Sequence, residues 1–164
     1  MKLIIKDTTR PLRGAEHLLS LSPEETILPC IGCYHCWIQT PGQCVLRDSF
    51  CSMPSLLSEV RDLFLISRMR YGSVSPFVKN VLDRSLGTLL PFFELKEGLA
   101  IHPLRYEHPL RLHYCIYGDA SEGERRTLQA LAKANGRNLE AETRVSFYSS
   151  WEALQEAMYD DWTD

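Results

Sequence analysis

The sequence shows no marked excess of charge of either sign, since 18 Lys and Arg residues stand against 21 Asp and Glu residues in a chain of 164, a net charge of −3. Proteins that bind duplex nucleic acid usually carry a basic excess that neutralises phosphates, so we expect no nucleic-acid partner. With 45% apolar residues and so small a net charge, the chain is also too hydrophobic to be disordered. It has no repeats, linkers or low-complexity tracts, so residues 1–164 are expected to form one domain.

No segment has the features of a membrane span or an export signal. The longest stretch without Asp, Glu, Lys or Arg is residues 26–46, which contain two prolines, two glycines and four cysteines. Such a segment does not cross a bilayer as a helix, and the apolar run near Met1 is shorter than that of a signal peptide. We therefore expect no membrane partner and a cytoplasmic location. Clustered cysteines indicate metal or redox chemistry in that reducing compartment, rather than disulfides.

The signature motifs of several enzyme classes are also missing. The sequence contains no G-x-S-x-G, no G-x-x-x-x-G-K-[ST] and no H-E-x-x-H, which argues against a serine hydrolase, a P-loop NTPase and a zincin. The five histidines show no metal-ligand spacing.

Short β-like runs alternate with helical patterns, which is typical of an α/β fold with a parallel sheet. Strands are predicted over residues 2–7, 26–28, 62–67, 111–117 and 143–148. Ser75 followed by Pro76, and the Ser121 to Glu124 capping box, predict helix starts. A short helix is predicted near residues 15–19 and another over 52–60, whereas 89–109 has no regular period and is expected to be functional or interfacial.

Five strands with helical crossovers predict a three-layer, doubly wound, flavodoxin-like sheet of order 2-1-3-4-5. The first crossover is shortened, because only residues 8–25 separate the first two predicted strands and prolines and a glycine interrupt them. Ligands of such sheets bind beyond the carboxyl ends of the strands. The segments that follow each strand are therefore the first places to search for a site.

Four clustered cysteines are the strongest chemical signal, and we predict them to be metal ligands: Cys30, Cys33, Cys36 and Cys44. Three cysteines at x2 spacing with a fourth close by resemble iron–sulfur ligation. Structural zinc sites more often use two C-x-x-C pairs that are a dozen or more residues apart. Zinc, inert buried thiols and redox-active thiols remain open at this point. Cys115 lies in an apolar strand and is expected in the core.

The same cysteine segment carries a resemblance to a known family. Residues 29–33, Cys36-Trp37, residues 40–42 and Cys44 with Asp48 resemble the NADPH-dependent FMN reductase group of the flavodoxin-like superfamily. Within that group they are most similar to the iron–sulfur flavoprotein branch. The similarity continues through residues 71–75, Lys79, Asp83-Arg84 and 91–93, and covers roughly residues 26 to 120.

The resemblance implies an oxidoreductase or electron carrier that binds FMN and a 4Fe-4S cluster. It also implies NAD(P)H or a reduced protein as electron donor, a redox partner protein as acceptor, and a homo-oligomer. A planar flavin needs backbone amides near its polar edge, an aromatic side chain over one face and a cation near its pyrimidine end. The residues that the resemblance places against the flavin are Arg68, Met69, Arg70, Tyr71, Gly72, Ser73, Val74, Tyr117, Gly118 and Asp119.

The first loop departs from the family. Its members usually hold the FMN phosphate on a Gly-Ser-Pro-Arg-like loop at a helix start, whereas this chain offers Thr8, Thr9, Arg10 and Arg13. No glycine opens this loop, and Asp7 would repel a phosphate unless it turned away. Two alternatives therefore stay open. One is a flavodoxin-fold binding module that has lost its cofactor, and the other is a metal or thiol-redox protein that uses the cysteine loop alone.

Overall fold

The computed structural model describes residues 1–163 and shows an α/β fold with a five-stranded, all-parallel central sheet. This confirms the predicted fold class. The central strands are β1 (Lys2–Lys6), β2 (Leu19–Leu21), β3 (Asp62–Arg68), β6 (Arg111–Tyr117) and β7 (Glu142–Tyr148), and a separate antiparallel hairpin holds β4 (Glu94–Lys96) and β5 (Leu99–Ile101). The helices are α1 (His35–Ile38), α2 (Met53–Leu56), α3 (Pro76–Arg84), α4 (Glu122–Asn138), α5 (Trp151–Ala157) and α6 (Tyr159–Thr163), with short 3-10 helices at Leu57–Glu59 and Leu86–Thr88.

The central sheet runs in the order β2-β1-β3-β6-β7. Without the hairpin strands this corresponds to 2-1-3-4-5, which is compatible with a flavodoxin-like fold. All four strand pairs are parallel, so their carboxyl ends meet at one edge of the sheet. No helix among residues 1–163 is long and apolar enough to span a membrane.

Helices cover both faces of the sheet and produce two cores. On one face, Leu63, Leu65 and Leu112 pack with buried residues of α2, α3 and α4. On the other face, Ile66 and Cys115 pack against α5 and α6. Since Cys115 is only 4% exposed, it is a core residue as expected.

The predicted helix starts at Ser75 and Ser121 are confirmed. The Ser75 hydroxyl accepts the Val78 N–H, and Ser121 and Glu124 form a reciprocal capping box. The helix α5 is capped by Ser150, which accepts the Ala153 N–H. These caps occur because a hydroxyl satisfies an amide that has no partner within the helix.

The first third of the chain differs most from the predicted elements. The expected strand over 26–28 and the expected helix over 15–19 are both wrong, because the second strand is β2 and no helix lies between β1 and β2. Buried Leu12 and Ala15 fill the place of a crossover helix beside α5 and α6. The predicted helix over 52–60 divides into α2 and a 3-10 turn, and α4 continues to Asn138, past Gly136.

The long segment over 89–109 contains regular structure that its sequence did not reveal. Its β4–β5 hairpin turns at Glu97 and Gly98, both of which have positive φ angles. The Lys96 ammonium binds the Glu140 carboxylate at 2.6 Å, which ties the hairpin to the chain just beyond α4. Phe92, Phe93 and Leu95 remain exposed.

Candidate functional site

Two groups of predicted site residues lie at opposite ends of α3. At its amino end, the Ser75 N–H donates to Ser67 Oγ at 2.7 Å, next to the loop that follows β3. At its carboxyl end, Arg84 reaches the cysteine segment. A helix of nine residues is about 13 Å long, so the two groups are separate centres. The cysteine segment was expected to follow a strand directly, but β2 already ends at Leu21.

Asp7 joins the carboxyl ends of the three central strands. Its Oδ1 accepts the Tyr117 hydroxyl at 2.7 Å, and its Oδ2 accepts the Arg68 N–H at 2.8 Å and the Ser67 hydroxyl at 3.3 Å. Burial and the Asp7 carboxylate raise the pKa of Tyr117, so this phenol stays protonated and donates. The Asp7 carboxylate therefore faces β3 and β6.

The loop after β3 has an exposed aromatic side chain at its tip, whereas residues on either side of the tip are buried. Arg70 and Ser73 exchange two backbone hydrogen bonds across a tight turn. Tyr71 occupies the turn with φ 53° and is 95% exposed. Gly72 follows at φ 77°, and a Cβ there would lie 2.7 Å from the Thr127 Cβ, so the turn requires glycine. Two neighbouring residues of the same loop, Met69 and Val74, are buried in the core.

The loop after β6 lies beside the same edge. Gly118 has φ 90°, and a Cβ there would lie 3.4 Å from the Arg68 Nε. The Arg68 side chain therefore crosses the Gly118 backbone, and Asp119 follows ahead of α4. The Tyr117 ring packs edge-on against Trp151 at 5.5 Å. The structure thus brings the predicted flavin residues of the β3 and β6 loops to one edge.

The first loop has internal partners in place of an anion site. Lys6 Nζ donates to the carbonyls of Thr8 and Arg10 at 2.9 Å, and burial lowers its pKa. Arg10 pairs with Glu152 at 2.5 Å and lies over the Trp151 ring. No helix begins among residues 8–18, so this loop itself presents no backbone amides of a helix N-terminus.

Thr8 and Arg13 are also engaged. Thr8 Oγ1 accepts the Arg10 N–H at 3.2 Å, and the Arg13 N–H donates to Gln155 Oε1 at 3.1 Å. Thr9 and Arg13 are exposed. The four residues predicted for the phosphate therefore share one exposed loop, but they do not converge as a preformed phosphate cradle.

The four predicted metal-ligating cysteines lie on one segment, residues 30–44, which we call the cysteine loop. Cys30 and Cys33 are exposed, whereas Cys36, on α1, and Cys44 are half-buried. Burial raises the pKa of the Cys36 thiol, and the charges of the other three cysteines raise it further. Among residues 1–163, no three His, Cys, Asp or Glu side chains are already arranged to hold a metal ion.

Arg84 anchors this loop through a buried network. Its Nε donates to the Cys44 Sγ at 3.2 Å, and both terminal nitrogens bind the Asp48 carboxylate, at 2.6 and 2.7 Å. The Arg84 side chain is fully buried, and that of Asp48 is 8% exposed. Although burial opposes ionisation of Asp48, the hydrogen bonds from Arg84, Leu28 and Phe50 lower the Asp48 pKa. A fixed cation thus lies against one sulfur of the candidate centre.

The Cys36 side of the loop packs against the 3-10 helix at Leu86–Thr88. The Trp37 indole donates to the Leu86 carbonyl at 3.0 Å, and Arg105 donates to the carbonyls of Gly87 and Trp37. A Cβ on Gly87 would lie 3.0 Å from the Cys36 Cβ, so the backbone approaches this cysteine closely. Half of the cysteine loop is therefore held rigidly, while the part that carries Cys30 and Cys33 projects from the surface.

A polar cleft of about 320 Å³ lies over β6 and β7, beside α6 on the face of the sheet that α5 and α6 partly cover. Asp62 accepts from Arg111 at 2.6 Å and from His113 Nε2 at 3.0 Å. The His113 ring stacks on Phe64 with centroids 4.4 Å apart. Although burial opposes ionisation of Asp62, the Arg111 and His113 hydrogen bonds lower the Asp62 pKa.

Asp62 is expected to make the stability of the fold depend on pH in acid. Its pKa is lower in the folded chain than its ordinary value of 3.8, so its contribution is fully present above that value. The contribution is lost as the pH falls through the lower, folded pKa. Chemical denaturation between neutral and acid pH should show a shallower fall in unfolding free energy for Asp62→Asn than for wild type. Exposed Glu156→Gln serves as control, and an unchanged slope in Asp62→Asn would contradict the expectation.

Sequence reasoning missed the roles of Arg84 and Lys6. The Arg84 hydrogen bond spans 40 positions along the chain, and nothing in the local pattern around residue 84 indicates a sulfur partner. Lys6 lies in a strand pattern, where its side chain was not expected to hold the loop that follows. Both residues are buried cations, and their local sequence does not mark them, since Arg84 directly follows Asp83 and Lys6 directly precedes Asp7.

No protein-family model and no curated protein sequence matches the chain.

Proposed function

We propose that the chain is an FMN-dependent oxidoreductase or electron carrier with a flavodoxin-like fold, of the NADPH-dependent FMN reductase and iron–sulfur flavoprotein type. FMN binds at the carboxyl edge of the sheet, and a 4Fe-4S cluster binds to the cysteine loop. One observation carries the proposal. The single helix α3 begins at the loop proposed for the flavin and ends at a buried arginine bonded to a cysteine-loop sulfur.

The β3 and β6 loops fit the flavin ring. Tyr71 is exposed and free to cover one face, and glycine at positions 72 and 118 lets the two loops pack closely against Thr127 and Arg68. Arg68 supplies a cation beside Gly118, which favours negative charge on a reduced ring. When bound, flavin interconverts two-electron and one-electron transfer.

The first loop fits the phosphate poorly. Arg10 is paired with Glu152 and no helix begins within this loop, so the loop offers a phosphate only the Thr8 and Thr9 hydroxyls and the exposed Arg13. We infer that the ring, rather than the phosphate, supplies most of the FMN affinity. This loop is also the observation that favours the second candidate function, a binding module of the same fold without a cofactor.

The donor set of the cysteine loop fits an iron–sulfur cluster. Four thiols lie on one loop, two of them held and two exposed, and a buried N–H donor contacts one sulfur. Because the exposed pair is not packed, Cys30 and Cys33 can turn toward Cys36 and Cys44 as a cluster assembles. The exposed edge would then exchange electrons with a redox partner protein.

NAD(P)H or a reduced protein is the proposed electron donor, and the cytoplasm the proposed location. The proposed homo-oligomer rests on exposed apolar side chains. Tyr34, Trp37, His102 and Phe93 form a row of ring contacts, with centroids 4.2 to 4.9 Å apart. Tyr34 and Phe93 are at least half exposed, and such rows are typical of protein interfaces.

The test is the visible spectrum of protein purified and reconstituted anaerobically with iron and sulfide, before and after FMN is added. We expect a broad iron–sulfur band that dithionite bleaches, together with flavin bands that remain after gel filtration. Tyr71→Ala should weaken FMN binding, measured by quenching of flavin fluorescence, because the ring loses its cover. Tyr159→Ala, an exposed tyrosine of α6 that lies outside both proposed sites, is the matched control.

Each other outcome selects a different function. A colourless folded protein that binds neither iron nor FMN would refute the proposal and favour the binding module. Bound zinc without labile sulfide, or thiols that oxidise reversibly without metal, would favour the cysteine loop acting alone. FMN binding without iron would leave a simple flavin reductase or carrier.

A further inference from the structure

We propose that Arg84 is a positioning residue that sets the reduction potential of the cysteine-loop centre, through the hydrogen bond from its Nε–H to the Cys44 Sγ. The inference rests on the cluster that forms part of the proposed function. It concerns a residue outside the cysteine motif, on another element of the fold.

All five N–H donors of Arg84 have an acceptor. One Nη1 hydrogen and one Nη2 hydrogen bind the Asp48 carboxylate, and the other two bind the carbonyls of Leu28 at 2.7 Å and Leu46 at 3.3 Å. Nε donates its one hydrogen to Cys44. Because the planar guanidinium is held by four other bonds, it has no freedom to turn away from the sulfur.

The direction of the effect follows from charge. Reduction adds one electron to the centre, and part of that charge resides on the ligating sulfurs. An N–H donor held at a sulfur stabilises the reduced form more than the oxidised form, and therefore raises the reduction potential. Within residues 1–163, Arg84 is the one side chain that donates a hydrogen bond to any of these four sulfurs.

Asp48 acts in the opposite direction. Its carboxylate holds the guanidinium in place, but its negative charge opposes the arrival of an electron nearby. Arg84 and Asp48 therefore form one ion pair whose two members have opposite effects on the potential. If the pair had a purely structural role, loss of either member would disturb the same packing and would shift the reduction potential in the same direction.

The experiment is a redox titration of the reconstituted cluster, with dithionite as electron donor, in wild type, Arg84→Lys, Arg84→Gln and Asp48→Asn. Iron and sulfide per chain and circular dichroism show which variants fold and assemble. Arg84→Lys keeps the positive charge but loses the planar fork, and Arg84→Gln covers the case in which the lysine variant does not fold. We expect a lower midpoint in both Arg84 variants and a higher midpoint in Asp48→Asn.

For Arg84→Lys we expect about a tenfold rise in the ratio of oxidised to reduced cluster at the wild-type midpoint, which is about 59 mV for a one-electron couple. An unchanged midpoint in folded, loaded Arg84 variants overturns the inference and leaves the proposed function intact. Shifts of the same sign in the Arg84 and Asp48 variants also overturn it, since they indicate packing alone. A wild-type protein that assembles no cluster overturns the proposed function and this inference together.

Discussion

Replacing Asp48 with alanine is expected to lower the free energy of unfolding by about 3–5 kcal/mol, the cost of leaving a buried charge without its partner. The Arg84 side chain is fully buried and loses both carboxylate bonds in this variant. The Leu28 and Phe50 amides lose their acceptor as well. Urea denaturation of wild type and Asp48→Ala at neutral pH measures the difference.

Asp83→Ala is the matched control, because it breaks the pair between Lys79 and Asp83 on the exposed side of α3, the helix that carries Arg84. An exposed pair of this spacing contributes about 0.3–0.5 kcal/mol, so the control should change little. Equal losses in both variants would contradict the buried-network account. The pKa of Asp48 is lowered in the folded state, so the wild-type advantage should disappear as the pH falls through that folded pKa.

Replacing Cys36 with serine is expected to abolish the iron–sulfur chromophore, the largest effect on function that a single substitution should produce. Cys36 is the proposed ligand that packs against the Gly87 backbone, and a hydroxyl is a much poorer ligand for iron than a thiolate. Iron and labile sulfide per chain, measured after anaerobic reconstitution, should fall to background. The backbone should stay folded, since serine and cysteine are nearly equal in size.

Cys51→Ser is the matched control for this substitution. Cys51 lies outside the motif, and it supports the loop through its backbone, since its carbonyl accepts the Cys44 N–H at 2.8 Å and its N–H donates to the Asp48 carbonyl at 3.2 Å. It should retain iron, sulfide and the visible spectrum of the wild type. Loss of the chromophore in Cys51→Ser, or its persistence in Cys36→Ser, would exclude the proposed set of four ligands.

Elements with strong local signals were predicted well. The strand over 111–117 matches β6 residue for residue, because Leu112, Tyr114 and Ile116 recur at every second position and all three face one core. Ser75 and Ser121 begin helices as expected, since a cap involves only a few neighbouring residues. The predicted all-parallel arrangement of the central strands also holds.

Elements that depend on distant partners were predicted badly. β2 is only three residues long, so its own sequence carries almost no strand signal. It forms because it pairs with β1. Residues 26–28 have the better strand pattern but lie elsewhere, where the Leu28 N–H binds the Asp48 carboxylate. In both cases a tertiary contact overrides local propensity.

The candidate site divides in the same way. The order of residues along the chain fixes the spacing of Cys30, Cys33, Cys36 and Cys44 and leaves the loop after β1 without an opening glycine. The sequence by itself therefore determined the candidate donor set and the poor phosphate loop. Only the tertiary structure decided that Arg84 binds the Cys44 sulfur and that Asp7 joins β1, β3 and β6. Those contacts bring together residues 40 to 110 positions apart, and such distances are closed by packing of the whole chain rather than by any local preference.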